Sequence, residues 1–128
     1  MSILLVFGLL ALFQIKHFLC DYIFQGKYML GKFKEHGWFL PLAAHVAVHV
    51  LGTAIIIAIF ACYIGTTWKV FFMLLAIDAV VHFVMDRVKV VGSKQHTPQD
   101  AEFWWWLGYD QMIHHFTHYV IIFGLLLL

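Results

Sequence analysis

Charge is what this chain of 128 residues has least of. Lys, Arg, Asp and Glu together make 12% of it against 63% hydrophobic residues, and the mean hydropathy is +0.88. A soluble domain carries about 25% charged residues, so a water-facing globular surface is excluded and the composition reads as an integral membrane protein. The net charge of +1 leaves no basic surface for nucleic acid. Cysteine is scarce: Cys20 and Cys62 stand far apart in apolar segments with no CxxC, which excludes a disulfide framework and reads as two lone core thiols. Of the two prolines, Pro98 marks a loop and Pro41 falls in the first turn of an expected helix, where a missing N–H costs little. No basic stretch precedes the first apolar run and no small-residue cleavage site follows it, so Ser2 onward is expected to be a retained helix rather than a signal peptide. There is no P-loop, HExxH or nucleophile elbow.

What the chain has in quantity is long apolar runs. A helix needs about 20 mostly apolar residues to cross a bilayer. Four segments qualify, roughly 2–24, 39–64, 69–91 and 104–127, joined by loops rich in Gly26, Gly31, Gly37, Gly65, Gly92 and Pro98. Connections this short imply a single all-α domain over 1–128, an antiparallel bundle of four transmembrane helices. Lys16, Lys27, Lys32, Lys34, Arg87, Lys89 and Lys94 lie at or near the two longer loops, and only Lys69 lies on the other side. The excess of cations on the cytoplasmic side therefore places loops 25–38 and 92–103 in the cytoplasm of a bacterial inner membrane and both termini outside. Trp38, Trp68, Trp104, Trp105 and Trp106 fall at span ends, where indole rings anchor to the interface.

The scarce polar residues are not scattered. Within the expected spans Asp and His recur at a spacing of four: His17 and Asp21, followed by Gln25; His45 and His49; Asp78, His82 and Asp86; Asp110, His114 and His118. Residues four apart share one face of a helix. The chain holds seven Asp/His pairs at this spacing and a single one, 115/118, at spacing three. Random placement would give about 1.5 pairs. At a rise of 1.5 Å per residue, His17, Asp21, His45, His49, His82, Asp86, Asp110 and His114 lie about 8–15 Å below the same cytoplasmic surface. Asp78 and His118 lie deeper, and His115 is turned about 100° away from His114.

Ionisable groups inside a span carry a cost, about 2.5–3.5 kcal/mol for Asp at its centre, so pairing, water or a metal must compensate. Neutral His with ionised Asp suits zinc, manganese or iron, and bundle interiors carrying carboxylates and His on facing helices hold such ions. The candidate ligands are His17, Asp21, His45, His49, His82, Asp86, Asp110, His114 and His118, enough for one or two divalent ions, zinc before manganese or iron. Some would instead hold a histidine tautomer. A pair of facing histidines also suits haem, against which the carboxylates argue. A purely hydrogen-bonded network and a proton or ion pathway are the competing readings. Gln25 and Gln111 extend the polar layer. Lys89 shares the face of Asp86 and is placed to pair with it, to snorkel, or to meet a phosphate entering from the cytoplasm.

On these residues the chain resembles a family of small membrane proteins of bacteria and phages classed as a domain of unknown function. The family pattern is H-x3-D-x3-Q on the first helix, His on the second, H-[FL]-x2-D-x2-K on the third and D-Q-x2-H on the last. It is met by His17, Asp21 and Gln25; His45; "HFVMDRVK" with His82, Asp86 and Lys89; and "DQMIH" with Asp110, Gln111 and His114. His49, Asp78 and His118 fall outside the pattern. The resemblance covers nearly the whole chain and implies a shared site, without an activity. A looser analogy runs to membrane-bound metal-dependent hydrolases with His- and Asp-rich spans.

The expected function is therefore a membrane-embedded metal-dependent hydrolase. An ion would activate water, Asp110 and His114 would handle the proton, and Lys89, Gln25 and Gln111 would contact a lipid or lipid-linked phosphate or ester. The alternatives are a metal-ion or proton transporter or sensor, as an oligomer supplying more helices, and a non-catalytic interaction protein whose Asp/His network fixes the bundle. The wholly apolar runs "ILLVFGLL", "AIIIAIFA" and "IIFGLLLL" favour a one-sided site over a conduit.

Overall fold

The computed structural model describes residues 2–128. Among them the backbone forms four long helices: α1 (Ile3–Phe18), α2 (Phe39–Ile64), α3 (Trp68–Gly92) and α4 (Ala101–Leu127). A π-helical turn, Leu19–Ile23, prolongs α1, and a 3-10 turn, Met29–Phe33, sits in the loop before α2. α4 thus starts three residues before the expected 104. Contacts run α1 to α2, α2 to α3, α3 to α4 and α4 back to α1, so the helices close into a four-cornered bundle with α1 diagonal to α3.

Local sequence explains the helix ends. Gly65 ends α2 in the left-handed region at φ 78°, donating its N–H to Ala61 O at 2.8 Å; an L side chain there would be strained. Two residues on, Thr67 caps α3 by accepting from the Val70 N–H at 3.3 Å. Asp100 opens α4 and accepts from the Thr97 N–H at 2.7 Å and its hydroxyl at 2.9 Å. These bonds hold the Asp100 carboxyl below its usual range, and the ammonium of Lys94 does the same for Glu35.

The bundle is apolar outside. Leu4, Phe7, Leu51, Ile55, Ile59, Phe72, Val80 and Phe123 are exposed, the reverse of a water-soluble bundle. α1 with its π turn, α2 and α3 have mean hydropathies of 2.1, 2.3 and 1.8 and are each long and apolar enough to cross a membrane, which marks the chain as an integral membrane protein. α4 is longer still at 27 residues but falls outside this set, because Asp110, Gln111, His114, His115 and His118 lower its hydropathy. Its Asp110, His114 and His118 are buried inside the bundle.

The interior has two zones. Towards Gly65 and the termini lies an apolar core in which Leu9 and Phe13 meet Ile57, Leu74, Ile121 and Leu125. Towards the two longer loops lie the buried His and Asp side chains. The cysteines divide: Cys20 is buried as expected, whereas Cys62 is exposed on the outside of α2.

Candidate metal centre

The polar zone is assembled from all four corners. His17 comes from α1, Asp21 from the π turn, His45 and His49 from α2, His82 and Asp86 from α3, and Asp110 and His114 from α4. The imidazole of His82 is the hub. It packs between the rings of His49 and His114 at centroid distances of 3.8 and 3.9 Å, with His45 at 5.5 Å.

Two groups of side chains present ligand atoms within 4.8 Å of one another and could hold a metal ion: Asp21, His45, His49 and His82, and His82, Asp86 and His114. In the first group Asp21 Oδ1 lies 2.9 Å from His49 Nε2 and 3.3 Å from His45 Nε2. In the second, Asp86 Oδ1 lies 3.5 Å from His114 Nε2, while its Oδ2 lies 3.2 Å from His45 Nε2, linking the groups. The Nε2 atoms of His45, His82 and His114 and Oδ1 of Asp110 are buried without a hydrogen-bond partner. Nε2 of His45 and His114 meets carboxylate oxygens at 3.1–3.5 Å without hydrogen-bond geometry, and Nε2 of His82 has no hydrogen-bond partner. Buried polar atoms are nearly always hydrogen-bonded, so a convergence of this kind is what a ligand set looks like without its ion. The donor set, imidazole with carboxylate and no thiolate, suits a borderline divalent cation.

The remaining expected residues surround these groups. His17 Nε2 pairs with Gln111 Oε1 at 2.8 Å and with Asp21 Oδ2 at 3.2 Å. Asp110 faces His114 Nε2 with Oδ1 at 3.1 Å and takes Lys89 on Oδ2 at 2.9 Å. Lys89 is thus closer to Asp110 than to Asp86, from which it stands 3.7 Å away. His118 is buried beside Phe13 and His17, with ring centroids at 5.1 and 5.4 Å, and both its nitrogens lack partners. His115 rests half-buried against His17 at 5.2 Å. Gln25, just past the π turn, is half-buried and makes no side-chain hydrogen bond among the described residues. The half-buried Asp21, Gln111 and Lys89 give this zone its most open edge.

Three features go beyond the spacing argument. The π turn is the first. Phe24 N–H bonds to Leu19 O at 2.8 Å, an i to i+5 closure that re-aims the side chains it carries, as such turns often do at functional sites. Asp21 sits in this turn. The second is Lys32. Read from sequence it is one of three loop lysines that set topology; in the structure the 3-10 turn carries it inside, 2% exposed, to within 2.7 Å of Asp86 Oδ2. The third is Lys16, also read as a topology residue. It is buried, and its Nζ lies 3.5 Å from Asp78 Oδ2, which also accepts from the Thr53 hydroxyl at 2.6 Å. Its stem runs over Gly52, where a Cβ would lie 2.9 Å from Lys16 Cγ. Asp78 therefore belongs to a separate, deeper pair. A charge count signals that buried carboxylates call for cations, but it does not say which lysines supply them.

Arg87, read as a plain topology determinant, stacks its guanidinium 3.8 Å over the Trp38 ring, and Trp104 donates to Pro98 O at 2.8 Å. Both tie the loop end of the bundle together.

No curated protein and no solved structure matches the chain. The sequence from residue 9 to 127 matches the family described as protein of unknown function (DUF3307), and on that match across nearly its whole length the chain belongs to that family.

Proposed function

We propose that this protein is a membrane-embedded, metal-dependent hydrolase acting on a lipid or lipid-linked phosphate or ester. The observation that carries the reading is the convergence of Asp21, His45, His49, His82, Asp86 and His114 into two ligand groups, in which Nε2 of His45, His82 and His114 is buried without a hydrogen bond. In this reading all four helices cross the bilayer of a bacterial inner membrane, and the loops 25–38 and 92–103 face the cytoplasm. The centre then lies in the cytoplasmic half of the bilayer, within reach of headgroups.

A bound divalent ion would supply Lewis acidity and an activated water at neutral pH. The protein's own groups do the rest. Asp110, whose buried Oδ1 lies 3.1 Å from His114 Nε2, takes the proton of the attacking water. The new bond forms from that water to the phosphorus or acyl carbon, the ester bond to the leaving oxygen breaks, and the proton passes to that oxygen. Lys89, at the half-buried edge, draws the anionic substrate in, and Gln111 holds His17 and Asp21 in place.

A transporter finds less support. Past the self-paired Lys16–Asp78–Thr53 cluster the interior is the apolar core of Leu9, Phe13, Ile57, Leu74, Ile121 and Leu125, which gives an ion no continuing path. A non-catalytic network that only fixes the bundle is separated by assay. Protein returned to lipid vesicles should hydrolyse a phospholipid phosphate or carboxylic ester, lose that activity to a chelator and regain it with zinc. Asp110→Asn should lower the rate by about 100-fold or more while retaining metal. Full metal occupancy with no hydrolysis of either ester class would sink the enzyme reading.

A further inference from the structure

Four carboxylates lie within the membrane-spanning part of the bundle, and they are not equally provided with cations. Asp78 has Lys16 at 3.5 Å, Asp86 has Lys32 at 2.7 Å and Asp110 has Lys89 at 2.9 Å. Asp21 has no lysine within ion-pair distance among the described residues. Its Oδ1 faces Nε2 of His45 and His49, and its Oδ2 faces Nε2 of His17 at 3.2 Å and the Gln111 amide at 3.4 Å. Asp86 is the opposite case, with Lys32 on Oδ2 and Lys89 3.7 Å from Oδ1.

We propose that the centre takes a single divalent ion, on Asp21, His45, His49 and His82, and that Lys32 fills the adjoining position as a tethered cation, its ammonium on Asp86 where a second ion would sit. This rests on the metal-binding reading above and sharpens it. Ligand supply is the first argument. His82 belongs to both groups but offers one ligand atom. Committed to the first group, it gives that ion four protein ligands and leaves water a fifth position, the expanded coordination that catalytic zinc can adopt, and it leaves the second group with Asp86 and His114 alone.

Charge is the second argument. With neutral histidines, Asp21, Asp86 and Asp110 stand against Lys32 and Lys89, which leaves one negative charge in the layer. One divalent ion turns this into one positive charge, suited to a hydroxide or a singly charged substrate group. Two ions would leave three positive charges in a medium of low dielectric, where like charges repel strongly. One of those ions would share a carboxylate with an ammonium already in contact with it.

The third argument is that Lys32 is delivered by a fitted piece of backbone. Gly31 lies so close to α2 that a Cβ there would sit 2.8 Å from Pro41 Cγ, so the 3-10 turn seats against the helix only with glycine at this position. Lys32 is then held inside at 2% exposure rather than left to wander in solvent.

The test is elemental analysis of detergent-purified protein, loaded with excess zinc and then stripped of loose metal by gel filtration. Wild type should hold about one ion per chain. Asp21→Asn should lose it and Asp86→Asn should keep it. The double variant Lys32→Met/Lys89→Met frees Asp86, Asp110 and His114 together and should rise to about two ions. Two ions in wild type, or an ion kept by Asp21→Asn and lost by Asp86→Asn, would overturn the proposal, as would a double variant that folds and stays at one. Should the double variant not fold, the two aspartate variants decide. No ion in wild type is a different result: it removes the metal reading itself, and this inference with it.

Discussion

At the end of the bundle near Gly65, Leu9 and Phe13 pack against Ile57, Leu74 and Ile121; at the other end the same four corners bring His17, His49, His82 and His114 ring to ring. The first zone holds helices together by dispersion, because lipid tails are as apolar as the core and no hydrophobic gain remains to be had. The second holds them by directed polar contacts that are worth little unless all are met. Between the two sits the Lys16–Asp78–Thr53 cluster, closed on itself by an ion pair and a hydroxyl. The difference separates what a side chain does for the fold from what it does for a ligand. Leu74, Asp78, His82 and Asp86 follow one another at one turn on α3, yet Leu74 packs in the apolar core, Asp78 closes the Lys16–Thr53 cluster, and His82 and Asp86 join the candidate metal group.

Substitutions at these positions should part the zones. The largest effect on ligand binding is expected at His82, whose imidazole belongs to both groups. His82→Ala should weaken zinc binding by at least about 100-fold, read by titration against a competing chelator, while the helical circular dichroism stays. Next comes Asp78. Asp78→Leu leaves the Lys16 ammonium buried without a partner and should cost about 3–5 kcal/mol of stability. Lys16→Met/Asp78→Leu should recover most of that loss, and metal content should be unchanged in both. If Asp78→Leu instead empties the metal centre, the two polar zones are one unit and the division fails. The smallest effect is expected in the apolar zone. Leu74→Ala, at a site 1% exposed, should cost about 2 kcal/mol in detergent unfolding with full metal content.

Much of this arrangement is legible in the sequence. Spacing of four across all four helices identifies the residues that meet, because an α-helix returns to the same face every four residues and the apolar surroundings leave Asp and His nowhere else to go. α2 spans Phe39–Ile64, bounded by Trp38 and Gly65, both visible as an interface anchor and a turn residue. The limits lie where backbone departs from regularity or where distance in sequence hides a contact. The π turn at Leu19–Ile23 has no compositional mark, so a count of four from His17 reaches Asp21 without revealing how it is aimed. Lys27, Lys32 and Lys34 look alike in a loop, and only the seating of Gly31 on Pro41 selects Lys32 for the interior. Lys16 sits one residue before His17 and reads as an end-of-span cation, although its partner is 62 positions away.

The converging imidazoles and Asp21 are either ligands, as proposed, or a hydrogen-bonded scaffold. X-ray absorption at the zinc edge of the loaded protein in lipid separates the two most directly. The expected result is an inner shell of three imidazole nitrogens, one carboxylate oxygen and one water oxygen at about 2.0–2.2 Å, lost in His82→Ala. A shell of oxygen alone, unchanged in that variant, would contradict the proposal.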